Sequence, residues 1–220
     1  MKILHCVAAA AVVVAGLGIY GLRAQAQGSP IGPGVNGRPM PADIKALRPA
    51  PDFTLTDQKG NTVKLADFTG KVVVLEWTNP DCPFVQRHYK AGTMAGLAKT
   101  YGAKGVVWLA INSTYYMNRE KNAAWAEKQQ IAYPVLDDHE GKVGMAYGAK
   151  NTPHMFVIDA KGNIVYQGAI DDNKDGEKKA GVVNYVALAL DAVLAGKPVA
   201  IPETRPYGCS VKYPPEPKPQ

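Results

Sequence analysis

Cysteine is scarce in this chain: three residues among 220, at Cys6, Cys82 and Cys209. Basic runs are missing too, and aromatic residues do not interleave with basic ones. The formal charge of +6 therefore describes a mildly basic solvated surface and argues against a nucleic-acid partner. No apolar stretch comfortably reaches the roughly 20 residues of a membrane span. The longest, Cys6 to Ile19, follows the positive Lys2 and precedes the small-x-small site Ala24-Gln25-Ala26. That order predicts a removable export signal over residues 1–26, with no stable membrane insertion after its removal; an uncleaved anchor is the alternative. Cys6 lies too near the start to be a lipidated cysteine and leaves with the signal. There is no internal repeat.

What remains has ordinary globular composition, 46% hydrophobic and 20% charged. Residues 27–50 are rich in Gly and Pro and read as a flexible lead-in. Residues 51–196 read as one domain, and residues 197–220 as a Pro-rich tail over its surface, carrying Cys209. Within the domain, Phe53 to Leu55 and Thr62 to Leu65 alternate like a hairpin around Asp57-Gln58-Lys59-Gly60. The β-branched run Lys71 to Thr78 predicts a buried parallel strand. A helix is predicted over 83–100, a strand over 106–111, a helix over 119–130, a short strand at 134–136 and a short helix over 141–147. Then come a strand pair, 154–159 and 164–168, and a closing helix over 181–195. Alternating βαβ units followed by a hairpin and a helix give an α/β fold with a mixed central sheet flanked by helices. The order is that of a thioredoxin-like fold, with an N-terminal β-hairpin extension and a C-terminal tail.

Export leaves two cysteines, which form either a structural staple or a working thiol with its partner. Cys82 follows a buried strand and precedes Pro83, which suits the first turn of a helix. A helix N-terminus exposes N–H groups and the positive end of the macrodipole, so it favours thiolate over thiol. Arg87 would add positive potential, although its spacing does not set it squarely on the same helical face; for His88 a solvated helix position is the preferred reading. Asp81 opposes ionisation unless it points to water. Thr152-Pro153 at a strand start predicts a tight, cis-capable turn, since proline gives no donor to a sheet ladder; in a thioredoxin-like fold that turn would lie beside the nucleophile.

Pro51-Asp52-Phe53-Thr54-Leu55-Thr56-Asp57, Gly70-Lys71, Cys82-Pro83-Phe84-Val85, Tyr147-Gly148-Ala149, Thr152-Pro153 and Gly168-Ala169-Ile170-Asp171-Asp172 resemble the redoxin group. That group includes the alkyl hydroperoxide reductase/thiol-specific antioxidant proteins, and the chain is most similar to its peroxiredoxin-like branch. The resemblance implies a thiol-dependent oxidoreductase with no cofactor. Cys82 would be the nucleophile, Pro83, Thr152 and Pro153 would shape its loop, and Cys209, in Gly208-Cys209-Ser210, would be the resolving thiol. The sequence departs from the pattern twice. Val85 stands where Cys-x-x-Cys proteins carry their second cysteine. Asn79 stands where peroxiredoxins carry a Thr or Ser that orients the peroxide; Thr78 is one residue off.

Two activities follow: reduction of hydroperoxides, or thiol-disulfide exchange with exported proteins. Both need an external thiol reductant; the export signal places the protein outside the cytoplasm, in the periplasm if the cell is Gram-negative. Copper binding by Cys82, His88 and His154 ranks lower, because the paired cysteines of copper-binding relatives are lacking. A permanent Cys82–Cys209 staple is the bland alternative. Trp77, Trp108 and Trp125 read as core or interface residues. Asp171 to Gly176 lacks the flanking helices and terminal Glu of a calcium loop. Tyr115-Tyr116 would line a groove.

Overall fold

The computed structural model describes residues 48–216. The expected signal, Cys6 and most of the lead-in lie outside the described residues. Arg48 and Pro49, at the end of the lead-in, are already part of the sheet as β1 (Arg48–Pro49).

The apolar β-branched runs set the centre of the sheet. The hairpin β2 (Thr54–Asp57) and β3 (Thr62–Lys64) comes first in the chain, followed by β4 (Val73–Trp77), whose five residues are all buried. β5 (Val107–Asn112) runs parallel to β4 and pairs Leu75 with Leu109. β6 (Val135–Asp137) continues in parallel beside β5. On the other side of β4 lie β8 (His154–Ile158) and then β9 (Asn163–Gly168), both antiparallel to their neighbours. The full order is β1-β9-β8-β4-β5-β6-β2-β3, with the hairpin at one edge. A second, two-stranded sheet joins β7 (Asn151–Thr152) to β10 (Cys209–Ser210).

Strand alternation sorts the core onto two faces. One face presents Val74, Trp108, Ala110 and Val157 to α1 (Pro83–Lys90), α2 (Thr93–Gly102), α3 (Arg119–Lys128) and α5 (Tyr185–Leu194). The other packs Leu75, Trp77, Leu109 and Phe156 against Phe53 and Tyr147 of α4 (Lys142–Tyr147). This is the thioredoxin-like α/β fold expected from the sequence, and the three tryptophans are core residues.

Three expectations need correction. The helix over 83–100 is two helices, because Gly92 takes φ +70° and caps α2; glycine enters that left-handed region without steric cost. The tail is also more than a surface cover, since it supplies β10 to the second sheet. The closing helix starts later than predicted, at Tyr185, where the Asn184 side chain accepts from the Ala187 N–H.

Trp77 is fully buried, packs on Tyr147 and Phe156 with ring centroids 5.1 Å away, and donates Nε1–H to Ser113 Oγ at 3.0 Å. Trp77→Ala is expected to cost about 3–5 kcal/mol by cavity formation. Denaturant unfolding of the reduced chain measures it.

Candidate active site

The C-terminal end of β4 leads through Asn79-Pro80-Asp81 to Cys82, the N-cap of α1 with Pro83 in its first turn. Asn79 builds this loop: its side-chain oxygen accepts from the Asp81 N–H at 2.9 Å, and its carbonyl from the Cys82 N–H at 3.0 Å. The position that would carry a peroxide-orienting hydroxyl thus shapes the turn instead. Asp81 is exposed, so its charge is screened by water.

β4 and β8 are in register with Trp77 opposite His154. The Thr152–Pro153 bond, read from the sequence as cis-capable, is cis and lies beside the Cys82 loop. Cys82 Sγ donates to the Thr152 carbonyl at 2.9 Å. The Thr152 hydroxyl is buried and makes no other well-aligned hydrogen bond. It is free to donate to the sulfur once the thiol proton leaves. On the other side of β7 sits the tail, with Cys209 opposite Thr152 and Ser210 opposite Asn151. Gly208 makes this approach possible: its φ is +122°, and a Cβ there would lie 2.1 Å from the Thr152 oxygen. Asn151 Nδ2 donates to the Gly208 carbonyl at 3.0 Å. Both cysteines are free thiols.

The two thiols have unequal acidities. Burial pushes Cys82 up, but it is outweighed by hydrogen bonds from Thr152, from the Cys209 thiol and from the Val85 and Cys209 backbone N–H groups, so its pKa falls below the ordinary value. Cys209 is pushed up to about 11 by burial and by its hydrogen bond and charge interaction with Cys82. Of the two, Cys82 is the more acidic thiol.

Other predicted residues stand further back. Arg87 donates to the carbonyls of Lys174 at 2.8 Å and Asn173 at 2.9 Å, tying α1 to the 171–176 loop. Thr78 is fully buried, and its hydroxyl makes no aligned hydrogen bond. His88 corrects the solvated reading: it is buried, with Nε2 2.9 Å from Tyr207 Oη. His154 Nδ1 accepts from the Lys150 N–H at 3.3 Å. With both rings engaged, and no cluster of three potential metal-ligating side chains among the described residues, Cys82, His88 and His154 do not assemble into a copper site. Tyr115 and Tyr116 are exposed side by side, and Tyr116 reaches the Asn79-Asp81 loop. Among the described residues, no helix is long and apolar enough to cross a membrane.

Glu76 escaped sequence reasoning. It is fully buried on β4 and accepts from Tyr89 Oη at 2.8 Å, Trp108 Nε1 at 3.0 Å and Tyr133 Oη at 3.3 Å. The signal was a carboxylate in a strand read as buried on both faces, where a charge needs partners.

Residues 47–167 match the AhpC/TSA family. Among curated proteins, thiol-disulfide oxidoreductase ResA of Geobacillus thermodenitrificans is 34% identical over 116 residues, covering 52% of this chain and 64% of that protein. The thioredoxin-like protein YneN of Bacillus subtilis is 32% identical over 122 residues, covering 55% and 69%. The chain thus spans less than two thirds of the length of its ResA relative. Among solved structures, a hypothetical protein from Sinorhizobium meliloti has a TM-score of 0.70 at 32% identity, covering 78% of this chain and 96% of that one. A conserved protein from Geobacillus kaustophilus has a TM-score of 0.71 at 32% identity, covering 77% and 93%.

Burial raises the Glu76 pKa above its ordinary value of 4.5, against the pull of its hydrogen bonds. Folding therefore favours the protonated carboxyl. The stability it contributes is complete below 4.5 and is lost as pH rises through the folded-state value. Glu76→Gln should remove this dependence. In urea unfolding across pH, the stability of the parent minus that of the variant should fall with rising pH; parallel curves would contradict the assignment.

Proposed function

The chain belongs to the AhpC/TSA family, and from that premise we propose that it is an exported thiol-disulfide oxidoreductase cycling between a Cys82/Cys209 dithiol and a Cys82–Cys209 disulfide. The observation that carries this reading is the placement of Cys209 opposite Thr152, the residue whose carbonyl accepts from Cys82. The Cys82 thiolate attacks one sulfur of a partner disulfide, forming a mixed disulfide and releasing the partner's other sulfur as a thiolate. Cys209, on losing its proton to that leaving thiolate or to solvent, attacks Cys82. The partner leaves with both sulfurs reduced, and two electrons have passed from the protein to it. An external thiol reductant returns the pair to the dithiol. Exchange needs a thiolate and access to it, and makes no demand on an orienting hydroxyl at position 79. The ResA relative, named a thiol-disulfide oxidoreductase, supports the same chemistry.

Hydroperoxide reduction is the second reading, favoured by one observation: Cys82 is only 1% exposed, which admits a small oxidant more readily than a protein. There the thiolate attacks a peroxide oxygen, the alcohol leaves after taking a proton, and Cys209 condenses with the sulfenic acid, losing water. Location outside the cytoplasm rests on the signal expected over residues 1–26.

Reduction of insulin disulfides, driven by dithiothreitol and followed by turbidity, tests the assignment. Cys82→Ser should lower the rate by about 100-fold or more, to the level of dithiothreitol alone. Cys209→Ser should accumulate a mixed disulfide that the parent does not hold. Peroxide consumption by the reduced chain that outpaces insulin reduction would favour the second reading. A Cys82→Ser chain as active as the parent would end both.

A further inference from the structure

The segment carrying Cys209 is held in an unusual way. Among residues 201–216, Tyr207 alone is buried. Its ring sits 6.0 Å from Phe84 and 6.1 Å from His88, with the Arg87 guanidinium 5.9 Å away. Phe84, Arg87 and His88 share one face of α1, at spacings of three and four. The Tyr207 hydroxyl donates to Asp171 Oδ1 at 2.5 Å. Its single proton is thus committed, so His88 must donate from Nε2 to Tyr207 Oη. Burial, with help from Arg87, holds His88 below its ordinary pKa despite the Asp171 charge. One side chain, pinned by two hydrogen bonds, therefore locates the strand that begins two residues later. Along its outer side runs a cleft of about 600 Å³, lined by Phe84, Asn151, Arg205, Tyr207 and Gly208, so packing does not seal this segment in.

The strand it locates covers the nucleophile. β7 has β10 as its partner in the two-stranded sheet, and Cys209 lies opposite Thr152, whose carbonyl accepts from Cys82. A short strand with a reactive sulfur at its flank is an edge to which an extended peptide can add. A cysteine placed opposite Thr152 by such an addition would present its sulfur where that of Cys209 now sits.

We propose that Tyr207–Ser210 is a built-in occupant of the edge at which an extended, cysteine-bearing segment of a partner protein pairs, and that the Tyr207 latch to His88 and Asp171 sets how often that edge is free. The inference deepens the thiol-exchange reading and rests on it. Tyr207 is a positioning residue: it hydrogen-bonds His88 and Asp171 and decides whether Cys209 or a partner's cysteine stands beside Cys82. While the latch is closed, Cys209 is the neighbour and the partner is excluded. When it opens, the partner strand replaces β10, and reclosure returns Cys209 to resolve the mixed disulfide.

The test uses the full chain with Cys6→Ser and Cys209→Ser, so that Cys82 alone reports, with and without Tyr207→Phe, which removes both hydrogen bonds and keeps the ring. The probe is a ten-residue peptide whose one cysteine carries a 2-thiopyridyl disulfide. Attack by Cys82 joins its sulfur to the peptide's and releases 2-thiopyridone, read by absorbance. Tyr207→Phe should raise the peptide rate about tenfold, and amide hydrogen exchange at residues 208–211 should quicken with it. An unchanged peptide rate, with iodoacetamide still labelling Cys82 rapidly, overturns the latch and leaves the thiol reading standing. Unchanged exchange at 208–211 also overturns the latch. A sulfur slow toward both reagents in both chains overturns the thiol reading and the latch together.

Discussion

Thr152 is the residue on which the site depends. Its carbonyl accepts from Cys82, its hydroxyl has no other aligned partner, and it is paired with Cys209. The rest of the fold serves to place it. β4 delivers Cys82 to the head of α1, while β8 runs antiparallel to β4 in a register that sets the Thr152-Pro153 turn beside that helix start. The tail can then reach the far side of Thr152 because Gly208 lacks a Cβ. Further along, the tail is strapped by the Val211 N–H to the Lys150 carbonyl and by the Tyr115 N–H to the Lys212 carbonyl.

The chemistry follows from the different surroundings of two identical groups. A buried thiol resists ionisation, and at Cys209 burial prevails. At Cys82 the helix start, the Thr152 side chain and the approaching tail supply enough donors to reverse the balance. The nucleophile is therefore activated by the same strand that hides it. A tail that leaves uncovers the sulfur and also withdraws two of its donors. Access and activation oppose each other, and this fits a protein that meets its partner by strand replacement, because an incoming backbone restores N–H groups to the sulfur as it displaces the old ones.

Much of this arrangement was legible in the sequence. The β-branched run before Cys82, the proline after it and the Thr-Pro pair ahead of a strand each carry a local backbone constraint, and local constraints survive in one dimension. Gly208-Cys209 was visible as a resemblance. The relations across the chain were not. His88 reads as a solvated helix residue until Tyr207, 119 positions away, closes over it. Arg87 reads as a charge for the sulfur until the 171–176 loop takes its donors. The break at Gly92 hid within a window of otherwise helical periodicity. Glu76 gave a signal, a carboxylate in a fully buried strand, but its three donors come from α1, from β5 and from the residue before Pro134.

The unequal acidity of the two thiols is the central claim, and pH titration of the reduced Cys6→Ser chain labelled with ¹³C at the cysteine Cβ reads it directly. The account predicts two separate steps: Cys82 ionising below the roughly 8.5 of free cysteine, and Cys209 near 11. Two thiols titrating together at the free value, or Cys209 ionising first, would contradict it.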